Sequence, residues 1–214
     1  MTYVISDIHG EADRFHDLLR RLPFEDDDSM YIIGDVIDRG PEGVDLLLEI
    51  MSKPNMHMLL GNHEQMLLDT LGWNSYPGAR LIWAHNGGNV TRRELLYHRT
   101  TAERNSIIKF LENTPDELTI CVGDKSFHLV HGRPARHHDD RIWGRVEPAD
   151  SYLSGPIVIV GHTPTPFLTM NHKEPFMIYH GNGWIDIDCG CGNMMSPYRR
   201  LACLRLDDMV EFYV

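Results

Sequence analysis

The sequence predicts an α/β protein with two mixed β-sheets packed as a central sandwich, helices on the outside and a small helical cap. Two observations indicate this fold. Apolar runs alternate with helical patterns at the start of the chain, and runs of strand length dominate the second half. The first pattern favours parallel strands joined by right-handed crossovers. The second pattern indicates that the second half of the chain consists mainly of strands. With 214 residues, we expect a single domain over 1–214.

Three strand candidates in the first half each precede a helix candidate. The apolar runs lie in the segments 3–6, 30–35 and 55–64. Apolar residues at helical spacing predict a first helix over 12–21. A second helix is expected over about 42–51, because Pro41 and Glu42 form a favourable first turn. A third helix should follow residue 64.

The segment 73–116 is predicted to be a helical cap-like insertion. It begins with a loop-rich stretch that contains a short helix. Thr91 is expected to cap a helix that runs to Tyr97, and a further helix over 102–113 should end near Pro115.

The second half contains mainly short strand candidates. One hairpin is expected around Gly123 and Asp124, and another around Asn182 and Gly183. Further apolar runs lie at 156–162, 176–190 and 200–214. His137 and His138 are surrounded by Asp and Arg, which favours an exposed loop.

Composition narrows the classes of partner. The formal net charge is −11. Nucleic-acid binding requires a cluster of Lys and Arg residues, and the sequence shows no pronounced one, which argues against this class of partner. No apolar run reaches the ~18 residues that span a bilayer, so we expect no membrane partner. The chain shows no signal stretch, and its four cysteines fit no zinc pattern, which favours buried reduced thiols and a cytoplasmic location.

Polar residues follow five predicted strands, at the point where each strand ends. They are Asp7 and His9; Asp35, Asp38 and Arg39; Asn62, His63 and Glu64; His131; and His162. Ligands bind at the carboxyl edge of open α/β sheets, so we expect these side chains to meet. Mixed Asp, His and Asn ligands suit Mn, Fe, Zn or Ni. Their number suits two adjacent ions that share a carboxylate, an arrangement used in phosphoryl transfer.

Five ordered motifs carry a family resemblance: SDIHG, GDVIDRG, GNHE, HGRP and GHTP. In this order they resemble the motifs of calcineurin-like metallophosphoesterases. The DRG tripeptide resembles the phosphoprotein phosphatase branch, as does Pro164 at a position where other branches have a second histidine. The chain length and the WAHNGG segment are similar to the compact bacterial and lambda-phage-type serine/threonine protein phosphatases of that branch.

The resemblance implies a dinuclear metal centre and assigns its ligands. The first ion would be held by Asp7, His9 and Asp35, and the second by Asp35, Asn62, His131 and His162. Manganese is the expected metal, with iron, zinc and nickel as alternatives. The ions would turn a water into a hydroxide that attacks phosphorus in line.

The resemblance also implies roles for residues around the metals. His63 would protonate the leaving oxygen, with Asp38 orienting it. Arg39 would bind the phosphate oxygens, and Arg145 resembles a second phosphate-binding arginine. Two further substrate contacts are expected: Arg133, because HGRPA departs from the usual motif, and Asn86. The CGC segment at 189–191 is expected to form part of the wall of the site and to take no part in the chemistry.

These features predict a metal-dependent phosphomonoesterase acting on phosphoserine and phosphothreonine, with phosphotyrosine also open. Its partner would be a phosphoprotein or a small phosphorylated substrate. One alternative keeps the chemistry and changes the substrate, giving a symmetrical dinucleoside tetraphosphate (Ap4A) hydrolase. A second alternative is a non-catalytic metal-binding regulatory module.

Overall fold

The computed structural model describes residues 1–170 and 173–214, which contain two five-stranded mixed sheets. The first sheet comprises β1 (Thr2–Ile5), β2 (Ser29–Ile33), β3 (Met56–Leu59), β9 (Ala202–Arg205) and β10 (Val210–Tyr213). The second comprises β4 (Glu117–Val122), β5 (Lys125–Val130), β6 (Ile157–Val160), β7 (Tyr179–His180) and β8 (Trp184–Asp186). Their strand orders are β10-β9-β1-β2-β3 and β4-β5-β6-β8-β7.

Parallel strands occupy the middle of both sheets. In the first sheet β1, β2 and β3 run parallel, and β9 and β10 add antiparallel to β1. In the second sheet β5, β6 and β8 run parallel, with β4 and β7 antiparallel at the edges. The carboxyl ends of the parallel strands therefore gather along one edge in each sheet.

The helices are α1 (Ala12–Arg21), α2 (Gly43–Ser52), α3 (Asn62–Leu71), α4 (Ala79–His85), α5 (Asn89–Tyr97), α6 (Thr101–Glu112) and α7 (His138–Trp143). A 3₁₀ turn occupies Thr165–Phe167. Among the residues described, no helix combines the length and apolarity needed to cross a bilayer.

The core shows why the sheets form a sandwich. Successive side chains of a strand point to opposite faces. On β1, Tyr3 and Ile5 pack in the cluster that includes residues of α1 and α2, whereas Val4 packs with Phe127 and Ile159 of the second sheet. One face of each sheet is therefore buried against the other sheet. The predicted fold class is confirmed.

Several element boundaries agree with the sequence patterns, and two local expectations are wrong. The first helix covers 12–21, and the second is shifted by one residue. Thr91 is not a helix cap: it lies inside α5, whose N-cap is Gly88, and its hydroxyl accepts a hydrogen bond from the Asp38 backbone N–H at 3.0 Å. The hydroxyl thus serves the loop after β2 instead of its own helix.

His138 is the second correction, because it begins α7 instead of lying in an exposed loop. Its Nδ1 lies 2.6 Å from Asp116 Oδ2, and Arg141 of the same helix donates to that oxygen at 2.6 Å. These tertiary contacts hold a six-residue helix that has little periodicity of its own. The four cysteines are free thiols, and Cys121 is exposed while the other three are buried.

Candidate metal centre

The polar residues that follow five strands do converge, and their backbone is unusual. Positive φ angles put non-glycine residues in the left-handed region, which costs on the order of 1–3 kcal/mol each. The predicted site residues with positive φ are Asp7, His9, Asp35, Asp38, Arg39 and His162, at 51° to 73°. Elsewhere in 1–170 and 173–214, Met209 alone among non-glycine residues has this geometry. Strain concentrated in this way points to a functional site.

Asp35 lies at the centre of the cluster and faces histidines with both of its oxygens. Its Oδ2 is 3.6 Å from His9 Nε2, and its Oδ1 is 3.3 Å from His131 Nε2. Asp7 Oδ1 is 3.9 Å from His9 Nε2, and Asn62 Oδ1 is 3.0 Å from His131 Nε2. The buried carboxylate of Asp35 thus belongs to two groups of possible metal donors at once, one with His9 and His63 and the other with His131 and His162.

The donor groups fit divalent cations. His9 donates from Nδ1 to the Ile37 carbonyl at 3.1 Å, and His131 donates from Nδ1 to the Ile33 carbonyl at 2.7 Å. Each contact leaves the Nε2 atom facing the carboxylates, which is the arrangement of metal-binding histidines. Burial and the neighbouring His63 lower the pKa of His9 well below its usual range. The His9 Nε2 lone pair and the Asp7 and Asp35 oxygens then face one another without a donor between them.

The pKa values of the two histidines in the second donor group are shifted in opposite directions. Burial lowers the pKa of His131, but the carboxylates of Asp35 and Asp7 outweigh it and raise that pKa to about 10. Burial and the charge of His131 lower the pKa of His162 to about 3. Carboxylate oxygens and imidazole nitrogens are ligand types that divalent cations take in proteins. This chain therefore carries the ligand groups of a divalent metal centre.

His63 lies within reach of the first donor group and is held by Asp38. Its Nδ1 donates to Asp38 Oδ2 at 2.7 Å, and its Nε2 lies 3.8 Å from Asp35 Oδ2. The Trp83 indole N–H donates to the same Asp38 oxygen at 2.7 Å. Burial lowers the pKa of His63, but the carboxylates of Asp35 and Asp38 outweigh it and raise the pKa above its usual value. The imidazole is therefore stabilised in the protonated form.

Glu64 organises the backbone beneath the site. Its Oε2 accepts hydrogen bonds from the backbone N–H groups of Asp35 and Gly61, and its Oε1 accepts from Val36 and Ile37. Burial, followed by the charge of Asp35, raises the pKa of Glu64 to about 7. The carboxylate joins the loop after β2 to the start of α3, and so fixes Asp35 relative to Asn62.

The cleft above these residues has a volume of about 120 Å³. Most of the predicted residues line it, namely Asp7, Asp35, Arg39, Asn62, His63, Asn86, Arg145 and His162. His9 and His131 are buried beneath. Arg39 Nη2 is 3.2 Å from His63 Nε2, and Arg145 donates to the His162 carbonyl at 3.1 Å, so both arginines lie at the mouth.

Arg133 does not enter the cleft as expected. Its guanidinium pairs with Asp140 at 2.8 Å, and nearly half of the side chain is exposed. Its backbone N–H donates to the Asp140 carbonyl, so the residue after Gly132 turns toward α7 and away from the metal ligands. The departure in the HGRPA motif therefore forms a surface ion pair.

Four residues in the lining were not predicted as site residues: Trp143, Pro164, Phe167 and Asp188. Asp188 is buried, and burial and the nearby charge of Asp7 raise its pKa well above the usual range. It follows β8, which pairs in parallel with β6, so it reaches the site by the same strand-end rule as the others. The hairpin expected around Asn182 and Gly183 is present, with β7 antiparallel to β8.

The chain belongs to the calcineurin-like phosphoesterase family, whose model matches residues 2–191. Two relatives named symmetrical bis(5'-nucleosyl)-tetraphosphatase, from Serratia proteamaculans and Yersinia pestis, are 39% and 41% identical over 69 residues. Those 69 residues are 31% of this chain and 24% of each relative, so the likeness spans about a quarter of the relatives' length.

Solved structures share the fold over the whole chain at low identity. A metallophosphoesterase from Sphaerobacter thermophilus superposes with a TM-score of 0.62 at 19% identity, covering 99% of this chain and 86% of its own. A putative diadenosine tetraphosphatase superposes with a TM-score of 0.61 at 16% identity, and the match covers 100% of this chain and 92% of that one. A protein serine/threonine phosphatase from Saccharomyces cerevisiae superposes with a TM-score of 0.59 at 13% identity, and the match covers 100% of this chain and 78% of that one.

Proposed function

We propose that this protein is a metal-dependent phosphomonoesterase that acts on phosphoserine and phosphothreonine in protein substrates. The main support is the His63–Asp38 pair beside Asp35, whose two oxygens face separate donor groups. Ester hydrolysis requires an attacking water and a proton for the leaving oxygen. The donor groups and the adjoining imidazole match these two requirements.

Two divalent cations, with manganese proposed ahead of iron, zinc and nickel, would be held by the family ligand set. That set is Asp7, His9 and Asp35 on one side, and Asp35, Asn62, His131 and His162 on the other. When bound, the cations would polarise the phosphate and activate a water for attack on phosphorus.

The remaining groups position the substrate and move the proton. In its protonated form His63 holds one proton at Nδ1 against Asp38 and can release the other from Nε2 to the leaving oxygen. Arg39 now lies 3.2 Å from that Nε2, and a bound phosphate would offer its guanidinium an anionic partner instead. Arg145 supplies a second positive charge at the mouth of the cleft.

A second candidate is the symmetrical hydrolysis of dinucleoside tetraphosphates in the same cleft. It is supported by the relatives that are 39–41% identical over 69 residues and carry that name. The metal ligands and His63 would serve both reactions, so substrates must separate them.

A substrate panel with the manganese-supplemented protein tests the two candidates. Phosphopeptides, diadenosine tetraphosphate and cyclic nucleotides are incubated in parallel, with free phosphate and nucleotide products measured. We expect phosphate release from phosphoserine and phosphothreonine peptides. Nucleoside diphosphate as the dominant product would favour the second candidate, and no turnover by metal-loaded protein would favour the non-catalytic module.

The variant His63→Asn tests the acid role within this panel. Loss of a general acid typically slows turnover by about 10² to 10⁴, so we expect at least a roughly 100-fold fall in kcat. Metal content, measured by elemental analysis, should stay at the wild-type level. Unchanged turnover would show that His63 is not the proton donor.

A further inference from the structure

An apolar hollow lies beside the cleft and has a volume of about 570 Å³. Its apolar lining comprises Pro164, Pro166, Phe167, Phe176, Met194 and Met195. Three lining residues, Arg39, Pro164 and Phe167, also line the cleft. A group attached to a phosphate in the cleft would therefore have the hollow directly beside it.

The two walls of the hollow continue segments that carry site residues. One wall is the 3₁₀ turn Thr165–Phe167, which follows His162. The other is the loop after Asp188, where Gly192 allows a close approach: a Cβ there would lie 2.1 Å from the His9 ring. Arg199 holds the same loop by donating to the Cys191 carbonyl at 2.8 Å. The hollow is thus fixed relative to the metal ligands.

The walls expose large apolar side chains. Phe167 is 77% exposed and Met195 is 92% exposed, whereas Phe176 is buried and its ring lies against Gly190. Contiguous exposed apolar surface of this kind marks interaction sites in soluble proteins. Methionine side chains adapt to partners of different shape.

The chemistry of the lining favours one occupant. Among the lining residues in the described part of the chain, Arg39 and Asn193 alone have polar side chains. A nucleobase carries several donors and acceptors on its edge, and burying them without partners is costly. The side chains of Leu and Phe have no such groups. Neighbouring residues of a peptide are 3.8 Å apart at Cα, so such a side chain lies close to the phosphorylated residue.

On the basis of the function proposed above, we propose that the hollow binds a large apolar side chain within two positions of the phosphorylated residue. The protein would therefore select phosphopeptides with Leu, Met or Phe within two positions of phosphothreonine. Selectivity arises because only the preferred peptide has an apolar side chain that moves from water into the hollow when the peptide binds.

Two series of phosphothreonine peptides test this inference on the manganese-supplemented protein. They are identical except for Leu or Ser at the positions within two residues of the phosphothreonine. We expect a roughly tenfold higher kcat/KM for the best Leu peptide, mainly through a lower KM. In Met195→Ser the Leu-to-Ser ratio should fall toward one. The matched control Leu153→Ser changes an exposed side chain outside the hollow and should keep the ratio.

The outcomes separate this inference from the function it rests on. Equal kcat/KM for both peptide series would overturn the hollow as a selectivity site and leave the phosphatase proposal intact. Hydrolysis of diadenosine tetraphosphate that weakens in Met195→Ser, without peptide selectivity, would assign the hollow to a nucleobase and also overturn it. No hydrolysis of any phosphopeptide would remove both proposals.

Discussion

Asp38 has one oxygen that accepts from both His63 and Trp83, and a second, Oδ1, that is buried without a hydrogen-bond partner among the described residues. A buried carboxylate with so few donors depends strongly on each of them. Trp83 lies in α4, and 45 residues separate it from Asp38. We infer that the indole N–H fixes Asp38 in the orientation that holds the His63 ring.

The variant Trp83→Phe removes that donor and keeps an aromatic ring. Loss of a hydrogen bond to a buried charged group costs about 1.4 kcal/mol or more, so kcat should fall roughly tenfold. The fall should be larger for phosphothreonine peptides than for p-nitrophenyl phosphate, because p-nitrophenolate needs little protonation as it leaves. Steady-state kinetics on both substrates provide the measurement.

Trp73→Phe is the matched control, because Trp73 is 91% exposed and should tolerate the same change without kinetic effect. An equal loss on both substrates in Trp83→Phe would mean that the indole supports the fold of the site without acting through His63.

At this scale the sequence indicated residue types more reliably than partners. Asp35, His63 and the other predicted site residues at strand ends follow apolar runs, a local pattern that sequence records directly. The Trp83 hydrogen bond and the Arg133–Asp140 pair depend on which way a loop turns, and no spacing rule describes that.

At the scale of elements, the ends of β2 and β3 approach so closely that glycine is required. Gly34 has φ +88°, and a Cβ built there would lie 2.6 Å from Gly61 Cα and 2.7 Å from His131 Nδ1. The first of these atoms belongs to the backbone and the second to the ring of a predicted metal ligand, so neither can move without displacing the donor groups. Gly78, before α4, has φ +96° but no atom within 4 Å of a built Cβ.

Gly34→Ala and Gly78→Ala should therefore differ although both replace a glycine at positive φ. Each pays the strain of a left-handed alanine, about 1–2 kcal/mol. Gly34→Ala adds overlap that we expect to cost at least about 1–3 kcal/mol more. Urea unfolding of both variants measures the free energy of unfolding that each one loses relative to wild type. Equal losses in Gly34→Ala and Gly78→Ala would contradict the close approach of the ends of β2 and β3.

Long periodic elements were predictable, and short ones held by tertiary contacts were not. The helix α1 has the predicted bounds because its apolar residues repeat at helical spacing. The helix α7 depends on Asp116, and β8 is three residues long and pairs with β6 across an intervening segment.

At the scale of the whole molecule, the two sheets are joined at one edge by side chains of β7 and β10. His180 Nε2 on β7 lies 2.6 Å from Glu211 Oε1 on β10. The Tyr213 hydroxyl donates to Glu211 and accepts from the Ile178 backbone N–H at 3.2 Å. These contacts connect the outer strands of both sheets in addition to the apolar layer between them.

This link should make part of the stability depend on pH. The hydrogen bond with His180 is the main cause that lowers the pKa of Glu211 below its usual 4.5. A carboxyl whose pKa is lower in the folded state stabilises the protein above the unfolded value, and this stabilisation is lost as the pH falls through the folded value. The side chains are partly exposed, so we expect about 0.5–1 kcal/mol.

Glu211→Gln should therefore lower the free energy of unfolding by that amount near pH 5.5 and by less near pH 3, because the stabilisation is lost as the pH falls through the lowered folded pKa. Urea unfolding of wild type and variant at the two pH values measures the difference. The control Glu147→Gln changes an exposed carboxyl outside this link between the sheets, and its effect should not vary in this way. A Glu211→Gln effect of equal size at both pH values would show that packing, and not the ionised carboxylate, links the two sheets here.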